Sequence, residues 1–364
     1  MKTSLFFRRL AGFPFLRRPV VVLVVIAVLT LRNGDADIPM APLTGIHEAA
    51  ERGDLEKVKM LLKNNPDSVF SKDPRLGRTP LFYAADADHE NVVEFLLANK
   101  AEVNANDVSG LTALDLAADR GNTHVVKILL ANGADVNAGD NGTNWTPLLF
   151  AAYSGKIDVA ELLLANHADI EARTSAGWTP LLAATQLGHK DTVELLLAKG
   201  ADINAKANDG QTPLDAAAFA AAFQGNKDVV ELLLANKPKR NIQDAVLLGD
   251  VEEFKALLRK NPDLILIRSH NLSTLLHFAT FADHKDVAEL LLADKADVNA
   301  KDKYGDTPLH SASTHGYKDV AELLLVKGAD VNSKDIFGQT PLQAAVVNGH
   351  QEVAELLREQ GGHE

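Results

Sequence analysis

A tripeptide recurs along this chain at a nearly fixed interval. Thr-Pro-Leu begins at Thr79, Thr146, Thr179, Thr212, Thr307 and Thr340, and degenerate copies begin at Thr112 (Thr-Ala-Leu) and Thr274 (Thr-Leu-Leu). Successive intervals are 33, 34, 33, 33, 62, 33 and 33 residues. A period of this size means one supersecondary unit copied along the chain. No copy can bury its apolar face alone, so neighbours must stack.

Each copy carries the same local instructions. Thr is a good helix N-cap, and Pro follows at the first helical position, where its missing N–H costs nothing. Leu and an Ala pair come next, as in Leu114, Ala117 and Ala118. Gly then predicts a left-handed stop at Gly121, Gly155, Gly188, Gly316 and Gly349. A second helix follows with apolar residues at i, i+3 and i+4: Val125, Ile128, Leu129; Val159, Leu162, Leu163; Val320, Leu323, Leu324. Gly133, Gly200 and Gly328 end it in a Gly-Ala-Asp turn. Acids recur after the second helix at Asp135, Asp169, Asp202, Asp297 and Asp330. Recurrence at one repeat position argues for turn chemistry, not for a pair of carboxylates sharing a catalytic pocket.

These residues resemble the ankyrin repeat. The segments Thr307-Pro308-Leu309-His310, Gly316-Tyr317-Lys318-Asp319-Val320, Leu323-Leu324-Leu325 and Gly328-Ala329-Asp330-Val331-Asn332 are similar to its pattern, and the resemblance covers nearly everything after residue 45. It implies an all-α repeat solenoid, a stack of helix-turn-helix units with short β-hairpin turns. Partners would then be met by the hairpin tips and the exposed faces of the first helices, on the concave side.

Two stretches depart from the pattern and match each other. Residues 46–70 and 242–268 both lack the Thr-Pro-Leu opening. Ile46, Ala49, Gly53, Asp54, Leu61, Leu62, Asn65, Pro66 and Asp67 return at Ile242, Ala245, Gly249, Asp250, Leu257, Leu258, Asn261, Pro262 and Asp263, an offset of 196 throughout. The expected organisation is therefore two blocks. Residues 46–240 hold an atypical opening unit plus five repeats, and residues 241–364 an atypical opening unit plus three. No flexible linker separates them, which favours a continuous solenoid over two independent domains. In the fifth repeat 13 residues separate Thr212 from Gly225, against 9 elsewhere, predicting one extra helical turn. Phe219 and Phe223 then share a face, either filling the block junction or protruding as a contact site.

The first 36 residues are of another kind. Five basic residues precede an apolar run of 12 residues from Val20 to Leu31, closed by Arg32. A bilayer core needs about 20 apolar residues, so a basic start with a short apolar run reads as an export signal. Gly34 and Ala36 supply small residues for cleavage after Ala36. The expectation is a signal peptide or signal anchor over 1–36, a linker over 37–45, and a periplasmic or secreted protein. The alternative is a single-pass membrane anchor running from Leu10 to Leu31. Six bases and one acid lie in this segment, so without it the net charge falls from −12 to −17. So acidic a body is a poor binder of nucleic acid and suggests a protein partner with a basic surface.

Nothing in the sequence spells out an active site. Cysteine is absent, which removes disulfides, thiolate metal sites and a cysteine nucleophile. Phosphate-binding glycine loops, G-x-S-x-G and H-E-x-x-H are absent as well. His277 and His310 take the fourth place of the Thr-Pro-Leu-His motif, where the resemblance implies hydrogen bonding along the stack. No metal or cofactor is expected. Asn141-Gly142-Thr143, Asn144-Trp145-Thr146 and Asn271-Leu272-Ser273 fit the glycosylation sequon, which matters only in a eukaryotic secretory route.

The expected function is a non-catalytic protein–protein interaction scaffold. Both tryptophans of the chain, Trp145 and Trp178, fall in the column just before Thr, on adjacent repeats. With Leu111, Phe150 and Tyr153 they form a candidate concave apolar patch, since Trp and Tyr are enriched at binding hot spots. Packing between neighbouring hairpins is the competing account of the same residues. Tyr304 and Phe337, both three before Thr, make a second candidate pair at hairpin tips. Two other functions stand beside this one: a membrane-tethered structural or stress-protective scaffold, and an enzyme with a site at the block junction. That junction is almost purely Ala and Phe, poor material for chemistry.

Overall fold

The computed structural model describes residues 45–224, 228–236, 238, 240–269 and 272–363, and of residues 219 and 221–224 the backbone alone. The segment expected to be an export signal or anchor, and all of the expected linker except Gly45, lie outside the described residues, as do the side chains of Phe219 and Phe223. The described residues divide into two compact units, one ending at Lys239 and one beginning at Arg240.

Both units are built from helix pairs. In the first, α1 (Gly45–Glu51) and α2 (Leu55–Asn64) form the opening pair and a 3-10 turn, Pro66–Phe70, closes it. Five pairs follow: α3 (Pro80–Asp86) and α4 (Glu90–Ala98), α5 (Ala113–Arg120) and α6 (Thr123–Ala131), α7 (Pro147–Tyr153) and α8 (Ile157–Ala165), α9 (Pro180–Gln186) and α10 (Lys190–Ala198), α11 (Pro213–Gln224) and α12 (Asp228–Ala235). The second unit opens with α13 (Ile242–Leu247), α14 (Val251–Lys260) and the 3-10 turn Pro262–Leu266. Then come α15 (Leu275–Phe281) and α16 (Lys285–Ala293), α17 (Pro308–His315) and α18 (Lys318–Val326), α19 (Pro341–Asn348) and α20 (Gln351–Glu359). The extra turn expected in the fifth repeat is present, since α11 has 12 residues where the other first helices of Thr-led repeats have 7 or 8.

A helix of two turns is not stable in isolation, so stacking must hold these in place. The hydroxyls of Thr112, Thr146, Thr179, Thr307 and Thr340 cap their helices by accepting from the backbone N–H three residues on. Such a cap contributes about 1 kcal/mol. The larger share comes from burial. Leu81, Leu114, Leu148, Leu181 and Leu309 are sealed from solvent, each contributing about 2 kcal/mol. Beside them Ala84 and Ala85, Ala117 and Ala118, and Ala151 and Ala152 are also sealed. A methyl group there lets the next first helix approach closely, and within each unit every first helix packs directly on its neighbour. The second helices bury Val92, Val125, Val159, Val193, Val287, Val320 and Val353 from their inner faces.

Polar side chains tie each copy to the next. Nδ2 of Asn104, Asn137, Asn299 and Asn332 donates to the carbonyls of Gly133, His167, Gly328 and Gly361. The Oδ1 atoms of the same residues accept from the amides of Asp135, Asp169, Asp330 and His363. The recurrent acids serve turns as expected, Asp135, Asp169, Asp202, Asp297 and Asp330 each accepting from the amide two residues on. Nε2 of His189 bonds to the Tyr153 carbonyl at 2.9 Å, which lays the ring over Gly155. A Cβ on Gly155 would lie 2.6 Å from His189 Nδ1, and its φ is +65°. Gly53, Gly249 and Gly316 face His89, His284 and His350 in the same way. Asp88 and Asp283 hold the left-handed position without glycine, and there the following copy offers Asn122 and Tyr317 instead of histidine.

The connecting turns are short hairpins. Asp107, Thr174, Asp302 and Asp335 close them by donating to the carbonyls of Leu111, Trp178, Asp306 and Gln339. Neighbouring tips are joined by Val108 N to Leu76 O, Asn208 N to Ala176 O, and Ile336 N to Tyr304 O. Among the described residues these pairings do not extend into strands, and Arg268 with Thr274 makes one isolated bridge.

Candidate protein-binding surface

The column before each Thr is where the sequence places its tryptophans. Trp145 and Trp178 are buried, at 6% and 9% exposure, as are Leu111 and Phe150. The Trp145 ring lies 5.1 Å from that of Phe150 and meets Tyr153 edge-on at 5.2 Å. The expected cluster therefore exists around Trp145, but as packing between a hairpin and its own first helix. Tyr153 is half-buried. Arg78 fills the same column in the first repeat, where it pairs with Asp107 of the next hairpin at 3.1 Å and lies over the Phe82 ring. This column thus offers a partner little area. Tyr304 is half-buried and Phe337 is exposed.

The first helices carry polar groups that look like chemistry and serve the stack. Nδ1 of His277 accepts from the Thr274 amide and hydroxyl, leaving Nε2 to donate to the Asp306 carbonyl of the next copy at 3.1 Å. His310 repeats this with Thr307 and Gln339. Burial pulls His277 down to about 4 and lowers His310 as well, so both stay neutral donors. Asp115 stands in the same place on α5, with Oδ2 accepting from the Thr112 amide and hydroxyl. Burial pushes it up to about 7. In the first hairpin, burial works against the charge of Asp73, but the amides of Leu76, Arg75 and Arg78 outweigh it and hold the carboxyl below its ordinary value. Tyr83 donates to that carboxylate, and burial raises the phenol to about 12. Among the described residues no three His, Asp or Glu side chains are grouped to hold a metal ion.

What a partner can reach lies at the tips, on the second helices and at half-buried positions of the first helices such as Leu116, Asp119 and Ser311. Exposed acids pair along the second helices: Asp158 and Glu161 on α8, Asp191 and Glu194 on α10, Asp286 and Glu289 on α16, Asp319 and Glu322 on α18. On the turns exposed bases stand beside exposed acids, Lys206 with Asp202 in the first unit and Lys301, Lys303 and Lys334 with Asp297 and Asp330 in the second. Large apolar side chains stand out there too, notably Leu272, Ile336 and Phe337 at 50%, 61% and 64% exposure. The sequence search, directed at aromatics, passed over Leu272 and Ile336. The signal was present: Ile336 fills a turn position that other copies give to Val108, Asn141, Ser175 and Asn208, and Leu272 one that they give to Gly110, Gly177, Gly305 and Gly338.

Comparison with known proteins accounts for the framework. Family models described as ankyrin repeats (3 copies) match residues 26–107, 46–140, 106–174, 132–207, 149–244 and 242–335. A single ankyrin repeat matches residues 337–363. The first match begins inside the segment read as an export signal. The chain is also similar to the B-cell lymphoma 3 protein homolog of Mus musculus, 38% identical over 71 residues. That stretch covers 20% of this chain and 16% of the relative.

Proposed function

Since the chain belongs to the ankyrin repeat family, we propose that it is a non-catalytic scaffold that binds a protein partner through its hairpins and first helices. One observation supports this above the rest. The titratable groups that might have done chemistry, Asp73, Asp115, His277 and His310, are buried and tied to neighbouring backbone. The exposed side chains of the turns vary from copy to copy. A rigid repeated frame with variable side chains on one side loses little conformational entropy on docking. The basic start and the apolar run Val20–Leu31 support delivery outside the cytoplasm, free after cleavage or held by an uncleaved anchor.

The test is hydrogen exchange on the full chain, with and without proteins captured from the compartment in which it resides. New protection in the hairpins and first helices is expected. Protection confined to the second helices, no capture at all, or turnover of a small molecule by the chain alone would overturn the reading. Mass spectrometry of the native N-terminus separates the free from the anchored form.

A further inference from the structure

The chain's net charge argues for a basic partner, but the turns of the second unit present the opposite sign. Lys301, Lys303 and Lys334 are exposed there. Of the acids of the same turns two lie beneath them, while Asp306 is half-buried. Asp302 and Asp335 are buried, and each accepts from two backbone amides of its own turn. A partner approaching this row therefore meets ammonium groups first.

Bulky apolar side chains stand among those cations. The place of Ile336 is held in the first unit by Val108, which is exposed as well, and by Asn141, Ser175 and Asn208, ordinary turn residues. Here Ile336 and Phe337 follow one another, and both are mostly exposed, as is half of Leu272. The turns are physically joined. Ile336 N donates to Tyr304 O at 2.9 Å, Lys301 Nζ donates to Lys334 O at 2.8 Å, and Arg268 bridges the Leu272 and Lys301 carbonyls at 3.1 and 3.4 Å. Cations and apolar groups thus stand on one row of linked turns. A patch that exposes apolar area inside a ring of one charge marks an interaction site, and charge complementarity sets the sign of its partner.

We infer that the turn row of the second unit binds an acidic protein segment with bulky apolar side chains, its carboxylates over the three lysines and its apolar groups against Leu272, Ile336 and Phe337. This rests on the scaffold reading and gives that scaffold's partner a chemistry. Nucleic acid fits less well. The aliphatic side chains of Leu272 and Ile336 provide no platform for stacked bases.

The experiment uses the full chain and fluorescence anisotropy with three probes: a short labelled peptide alternating Glu with Leu and Phe, the same peptide with Lys for Glu, and a single-stranded oligothymidylate. The acidic peptide is expected to bind, more weakly as salt rises. Lys303→Glu with Lys334→Glu, and separately Ile336→Ser with Phe337→Ser, should each weaken it at least about tenfold. All four side chains are exposed, and unchanged far-UV dichroism confirms the fold. If a reversed pair melts early, Lys303→Gln with Lys334→Gln carries the same test. Unchanged affinity in either pair, or tighter binding of the basic peptide or the oligonucleotide, overturns the inference. If the charge-reversed chain still captures the wild-type chain's native protein partner, this patch is wrong while the scaffold reading stands. If the wild-type chain captures none, both fall.

Discussion

Asp115 offers the sharpest quantitative test of how the stack is held. The residue is fully buried, and its second oxygen, Oδ1, has no hydrogen-bond partner among the described residues. Burial raises it from 3.8 to about 7, the nearby Asp140 and Asp107 carboxylates adding to the effect and the Thr112 hydrogen bonds opposing it. The folded chain therefore holds a proton that the unfolded chain has released between those two values. Stability from this group is complete below the ordinary carboxylate value and is lost as pH rises through about 7. At about 1.4 kcal/mol per unit, the loss above pH 7 approaches about 4 kcal/mol. Asp115→Asn supplies a neutral side chain of the same size whose carbonyl can still accept from Thr112. Urea unfolding followed by tryptophan fluorescence isolates the effect, because both tryptophans, Trp145 and Trp178, lie in the first unit. Wild type and variant should converge near pH 4 and diverge as pH rises, the variant becoming more stable by up to about 4 kcal/mol. Parallel profiles for the two chains would show that Asp115 carries no buried proton, and the account of that position would be wrong.

The second unit should respond to pH in the opposite direction. His277 is held near 4 by burial, so its contribution is intact above the ordinary histidine value of 6.5 and is lost as pH falls through about 4. His277→Gln, which puts at this position the residue found at Gln343, should flatten that acid loss in far-UV dichroism; an unaltered acid transition would contradict it. Trp145→Ala should cost about 3–5 kcal/mol of stability, because the ring is packed on Phe150 and Tyr153. A chain that loses partner binding with unchanged urea midpoints would instead restore Trp145 to a partner-facing role. Gly155→Ala should cost about 2 kcal/mol or more, from its positive φ and from the His189 ring against it. His189→Ala in the same chain should recover part of this, and a double-mutant cycle with no coupling would remove the close approach as a cause.

The histidines show how a sequence can be read correctly in kind and still leave its logic hidden. His277 and His310 bond along the stack as their motif implied. The match between His89, His189, His284, His350 and the glycines one copy earlier was also present in the sequence, but it has meaning only once the ring is seen lying on the glycine. The tryptophans went the other way. Their column left binding and packing between hairpins both open, and the structure buries them.

What the sequence determined alone is everything that repeats. Caps, αL stops, apolar spacing and Asp turns are local instructions, each decided within one copy, and their period required stacking. What only the tertiary structure decided is which side chains the adjoining copies cover. Trp145 is buried while Phe337 is exposed, burial raises the Asp115 carboxyl, and a chain of net charge −12 presents lysines along its second-unit turns. Burial at a site is set by what the neighbouring copies lay over it, and a net charge says nothing of where single charges stand.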